Sequence, residues 1–207
     1  MVKFIIKIYL SMKYLYRTYF IAKRLVQSEQ SSISYWDTVN DTNYLRLFKK
    51  GEITSVEVAR KNHEDGLMYS VIVLDDDGSP YCSLDIVHEN EFIGVDFLDD
   101  SGRIYLSYHF DEVEPMKKLF LREVWYSFYP NSEAKDANYR LHFVFDHDGN
   151  AAYRKYDDLE HKIYDYETKE PLDVSGLYED YPKFDHYEGL IRLERNIGLI
   201  GDVIKQQ

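Results

Sequence analysis

Three copies of one turn signature constrain this 207-residue chain more than any other feature. An apolar run, an aspartate-rich turn ending in glycine, and a second alternating run recur over 69–84, 92–110 and 139–156. Their turns are Asp75-Asp76-Asp77-Gly78, Asp99-Asp100-Ser101-Gly102 and Asp146-His147-Asp148-Gly149. Aspartate and glycine tolerate the positive φ of a tight reversal, so each copy predicts a β-hairpin. The turn glycines lie 24 and then 47 residues apart. A propeller or solenoid needs steadier spacing, and a meander is expected instead.

Elsewhere the period is mostly two. Thr54, Val56 and Val58 alternate with charged neighbours, as do Ile104, Leu106, Tyr108 and Phe110, and then Tyr139, Leu141, Phe143 and Phe145. That pattern predicts antiparallel strands with one buried and one wetter face. Leu119–Tyr129 reads as a central strand, Asp111–Lys118 as a turn or short helix, and Pro130–Asn138 as a polar loop. Asp41 and Gly51 bracket a predicted short helix over Thr42–Lys50. Leu190, Leu193, Ile197, Ile200 and Ile204 approximate helical spacing, interrupted by glycines. The expected class is α+β: an antiparallel meander of hairpins with an N-terminal amphipathic helix and a short second helix.

Charge divides the chain. Residues 1–26 carry six cations and no acid, whereas the whole chain has net charge −12. Within this head Phe4, Ile5, Ile8, Met12, Leu15, Tyr16, Tyr19 and Phe20 recur at helical spacing, with Lys3, Lys7 and Ser11 on another face. A basic helical segment over 1–30 and an acidic β-rich domain over 31–207 are the expected units. No uninterrupted apolar run reaches the roughly 20 residues of a spanning helix, and no small-residue cleavage site follows the head. The head either packs on the acidic body or rests at an anionic membrane surface, the role of a peripheral membrane adaptor.

Catalytic motifs and cofactor cradles are missing from the sequence, and no cofactor is expected. The single cysteine, Cys82, excludes an internal disulfide and reads as a small buried hydrophobe, which fits a cytoplasmic setting. Asp146, Asp148 and Asn150 have the first spacings of a calcium loop and Asp157 falls at its twelfth position. Ala151 stands where that loop needs glycine, so a hairpin turn explains the aspartates without an ion. An enzyme site assembled from distant strands, around His142 and His147, is the alternative to a non-catalytic role. The acidic balance argues against nucleic acid as a partner.

Residues 156–188 hold eleven acids against three lysines, with six tyrosines interleaved. So dense a charge is either a solvated edge hairpin or a docking surface, with carboxylates steering a basic partner and tyrosines supplying contact area. The docking reading names Tyr156, Asp157, Asp158, Tyr164, Asp165, Tyr166, Glu167, Tyr178, Glu179, Asp180 and Tyr181. With its acidic β-rich body and the phrases Phe145-Asp146-His147-Asp148-Gly149-Asn150 and Tyr178-Glu179-Asp180-Tyr181-Pro182, the chain resembles the immunity proteins of bacterial polymorphic toxin systems. That resemblance spans roughly residues 50–190 and implies a cytoplasmic, non-enzymatic antidote. Such a protein would bind the basic catalytic domain of one cognate toxin and block it.

Overall fold

The structure, a computed structural model, describes residues 13–17, 47, 50–52, 54–88 and 91–195. Among these residues ten strands form one antiparallel sheet: β1 (Lys13–Arg17), β2 (Tyr69–Leu74), β3 (Pro80–Val87), β4 (Phe92–Leu98), β5 (Ile104–Glu114), β6 (Lys118–Phe128), β7 (Tyr139–Phe145), β8 (Ala151–Asp157), β9 (Lys162–Glu167) and β10 (Tyr178–Asp180). The first nine follow chain order across the sheet. From Glu123 onward β6 pairs with β7; its first three residues pair instead with β10, which fills the side that β7 leaves open.

The hairpin turns share one hydrogen-bond plan. In each, the first aspartate's Oδ1 accepts the backbone N–H groups two and four residues on: Asp77 and Ser79 for Asp75, Ser101 and Arg103 for Asp99, Asp148 and Asn150 for Asp146. The fourth residue is glycine at φ of 87°, 72° and 89°, a region that side chains with a Cβ avoid. The aspartates are there to close the chain on itself.

The α+β expectation with two helices is corrected: the protein is largely β. Among the described residues α1 (Ser55–Glu64) is the sole helix of seven or more residues. It occupies the stretch that alternation assigns to a strand. The deciding signal is a capping box: Thr54 Oγ1 accepts the Glu57 N–H, and the Glu57 carboxylate accepts the Thr54 N–H at 2.6 Å. Val58, Ala59 and Asn62 are its buried face, packed towards β1 and β2.

Residues 13–17, expected inside an amphipathic helix, are instead the edge strand β1. Five successive pairs join it to β2, and tyrosine suits a half-buried strand as well as it suits a helix face. A continuous helix over 1–26 is therefore excluded; the rest of that stretch, most of Thr42–Lys50 and residues 196–207 lie outside the described residues. Residues 190–195 are turns and irregular chain rather than helix, and β5 runs to Glu114 where a turn or short helix was expected.

One face of the sheet is the core, with Val71, Leu84, Val95, Phe97, Tyr108, Phe110, Leu121 and Tyr126 among its buried side chains. Across it runs a strap, 171–195, which buries Leu177, Leu190 and Ile191 in the core and is also held by tyrosine hydroxyls. Tyr81 and Tyr108 donate to the carbonyls of Ile191 and Leu193, Tyr14 and Tyr16 donate to Glu188 and Asp185, and Tyr69 meets Tyr187. A tyrosine ring fills core volume while its hydroxyl satisfies a backbone group that would otherwise be buried unpaired. Much of the tyrosine content is thus internal carpentry.

The opposite face is more polar, apart from a small apolar cluster around Ile72 and Leu98, and has a pH consequence. Ser70 and Ser107 donate to Asp85 and Asp96. Burial, partly offset by Ser70, pushes the Asp85 carboxyl up to about 6, and burial raises Asp96 as well. As a residue Asp85 keeps some accessible surface, but protein crowds its carboxyl, and that crowding sets the direction. A folded pKa above the unfolded value means the fold favours the protonated form. The stability contribution is complete below about pH 4 and is lost as pH rises through about 6, at most about 3 kcal/mol. Asp85→Asn removes this titration. In urea unfolding at pH 4 and pH 7, the variant is expected to gain stability relative to the native chain as pH rises. A difference between the two that is the same at both pH values would refute the assignment.

Candidate docking hairpin

The eleven residues of the acidic, tyrosine-rich stretch fall into two places three strands apart. Tyr156 and Asp157 end β8, Asp158 opens its turn, and Tyr164, Asp165, Tyr166 and Glu167 lie on β9 at the sheet's edge. Tyr178, Glu179, Asp180 and Tyr181 belong to β10 and its end, beside β6.

The β10 group largely serves the fold. Arg195 is 2 % exposed, and its guanidinium bonds Glu179 Oε1 and the carbonyls of Gly189 and Leu190. It also lies 5.2 Å and 5.1 Å from the ring centres of Tyr108 and Phe110. Arg192 shares the same Glu179 oxygen at 2.6 Å. The Tyr178 hydroxyl bonds His147 Nδ1 at 2.9 Å over the Phe120 ring. Tyr181 packs against the His63 and His88 rings, and burial raises its hydroxyl pKa. Only Asp180 is freely exposed, and it pairs with Lys118 at 3.0 Å.

The β8–β9 hairpin is different. All six residues of β9 are exposed. Of the eight exposed large apolar or tyrosine side chains among the described residues, four (Leu159, Ile163, Tyr164 and Tyr166) sit on this one hairpin. Leu159 and Ile163 escaped the sequence reading, which weighed acids and tyrosines; apolar residues at a turn and on an edge strand were the available signal. On the back face Arg154 stands opposite Asp165 and bonds it through Nε and Nη2, which holds the carboxyl below its ordinary range. Arg140 grips Asp158 with two bonds, and the Asp157 carboxyl, lowered mainly by the Glu160 N–H, also meets Lys155. The acids are therefore laced with cations, and the local field is weaker than the sequence alone implies.

On the core face Phe143, Tyr153 and Tyr166 form a cross-strand ring ladder, with centroid separations of 5.3 Å and 4.4 Å. On the back face Trp125 stacks on His142 at 3.9 Å, and His142 Nε2 meets Glu123 at 2.9 Å. The partial burial that would raise Glu123 is outweighed by His142 and His109, which lower it.

His142 and His147, the pair named for an assembled enzyme site, face different partners: Glu123 and Trp125 for one, Tyr178 and Phe120 for the other. His147 lines a groove of about 480 Å³ with Asp111, Phe120, Arg122, Asn150 and Glu167, in which Arg122 pairs with Asp111. At the calcium-like turn, Asp146 spends Oδ1 on backbone N–H groups and Oδ2 on the Asn150 amide. Among the described residues, no group of three or more His, Cys, Asp or Glu side chains is placed to hold a metal ion. Cys82 is buried, and burial raises its thiol pKa. Among the same residues, no helix is long and apolar enough to cross a membrane. No family model matches the chain, and neither a curated protein nor a solved structure does.

Proposed function

We propose that this chain is a non-catalytic binding protein of the immunity type, one that blocks the basic catalytic domain of a cognate bacterial toxin through its β8–β9 hairpin. The observation that carries the reading is the concentration of exposed Leu159, Ile163, Tyr164 and Tyr166 on one hairpin that also bears Asp157, Asp158, Asp165 and Glu167. Tyrosines and aliphatic side chains provide desolvated contact area, and carboxylates at the rim speed encounter with a basic surface and fix its orientation. The chain's net charge of −12 extends that attraction beyond the hairpin. Such an antidote would act in the cytoplasm, where its toxin would strike.

The test pairs the full chain with a toxin domain encoded by the neighbouring reading frame. Replacing Asp157, Asp158 and Asp165 together by lysine is expected to weaken binding by about tenfold or more, with most of the change in association rate and its salt dependence. Asp165 is exposed and Asp157 and Asp158 are half-buried, and all three make near-surface ion pairs, so a modest loss of stability is expected and folding is expected to survive. Unchanged affinity in the triple variant would remove the hairpin as the contact surface.

A further inference from the structure

We infer that the partner engages β9 by strand addition, its own strand carrying lysine or arginine on one face and aromatic or aliphatic residues on the other. The inference rests on the hairpin being the contact surface and adds how that contact is made. Among the described residues β9 ends the sheet order and pairs with β8 alone. A sheet edge presents a row of unpaired N–H and C=O groups, which proteins ordinarily shield with proline, bulges, lysines or a covering segment. Residues 162–167 contain no proline, and the register with β8 runs without a shift. All six residues are exposed, and the strand's one lysine, Lys162, turns back to Glu160 at 2.7 Å.

The two faces specify the incoming side chains. On the core face the ladder Phe143–Tyr153–Tyr166 runs outward across three strands and stops at the edge, with Tyr164 beside it. An aromatic or aliphatic residue opposite Tyr166 continues the ladder, and cross-strand pairs of that kind stabilise a sheet. On the back face the edge displays Asp165 and Glu167, with the exposed Ile163 preceding them, while Lys162 begins the core face. Asp165 already accepts from Arg154, but a carboxylate has about four acceptor sites, and room remains for a second cation. Because successive residues of a strand alternate faces, the complement opposite 164–167 alternates apolar and basic over four residues, about 13 Å. Backbone bonds supply attachment, and the alternation supplies selectivity.

The probe is the hexapeptide acetyl-Lys-Val-Lys-Tyr-Lys-Val-amide, titrated into the full chain with amide hydrogen exchange as the readout. Saturable binding with slowed exchange at β9 amides is expected. A copy N-methylated at every residue keeps its charges but cannot bond as a strand, and a copy with glutamate for lysine reverses the charge; each is expected to bind at least about tenfold more weakly. Changing Asp165 and Glu167 together to lysine is expected to weaken the parent peptide by a similar factor. Equal binding of the N-methylated copy, protection on strands other than β9, or a free protein that is already dimeric with β9 amides protected would each overturn the inference. If toxin binding falls on charge reversal while the peptide leaves β9 unprotected, the antidote reading stands and strand addition fails. If the peptide protects β9 while the toxin does not bind, the reverse holds.

Discussion

Replacing Glu179 with alanine is expected to lower the unfolding free energy by about 3–5 kcal/mol, the cost of leaving one member of a buried ion pair alone. In a domain of this size the matching fall in Tm is roughly 10 °C. Arg195 has no exposed side-chain surface, and Glu179 is its one anionic partner among the described residues. Burial lowers the guanidinium's pKa despite that carboxylate, so desolvation already outweighs the attraction. Removing the carboxylate leaves the penalty and deletes the compensation. The neighbouring change Asp180→Ala is expected to stay within about 0.5 kcal/mol, because Asp180 is solvated and its bond to Lys118 is exposed. A paired replacement, Glu179→Leu with Arg195→Met, is expected to recover most of the loss, since burying neither charge avoids the penalty. Denaturant unfolding of the three variants checks this. Equal, small effects for Glu179→Ala and Asp180→Ala would show that the strap is not fastened by this pair.

Gly149→Ala is the second large effect, and its meaning comes from comparison with Gly78→Ala. Both glycines have nearly the same positive φ, so both alanines pay about 1–2 kcal/mol for a left-handed backbone. A Cβ at Gly78 would meet nothing within 4 Å, whereas one at Gly149 would lie 2.4 Å from the Leu172 carbonyl oxygen and 3.0 Å from its nitrogen. The strap begins there: the Leu172 N–H donates to the Gly149 carbonyl at 2.8 Å. Displacing backbone is costlier than displacing a flexible side chain, and overpacking of this kind costs a further 1–3 kcal/mol, or roughly 2–5 kcal/mol in all. The excess of Gly149→Ala over Gly78→Ala in thermal or urea unfolding measures the strap contact. Equal losses would mean that 172 can move aside freely.

Much of the sheet was readable in the chain because its determinants are local. Asp75, Asp99 and Asp146 close their own turns within four residues, and the alternation of Leu106, Tyr108 and Phe110 needs no knowledge of what covers them. The capping box Thr54-Ser55-Val56-Glu57 was equally local, yet two alternating valines beside it carried the wrong period. The edge hairpin was half legible: its charges and tyrosines stood out, but their pairing with Arg140 and Arg154 depends on register with other strands.

Sequence by itself determined the turns, the alternating strands and the negative balance, since each follows from residues within a few positions or from composition. Tertiary structure alone decided that Tyr14 and Tyr16 join a strand, that Glu179 points inward while Asp180 points out, and that β9 ends the sheet order among the described residues. The physical reason is range. A turn is closed by its own atoms, but burial of a charge or exposure of an edge depends on a partner that only the folded chain brings near.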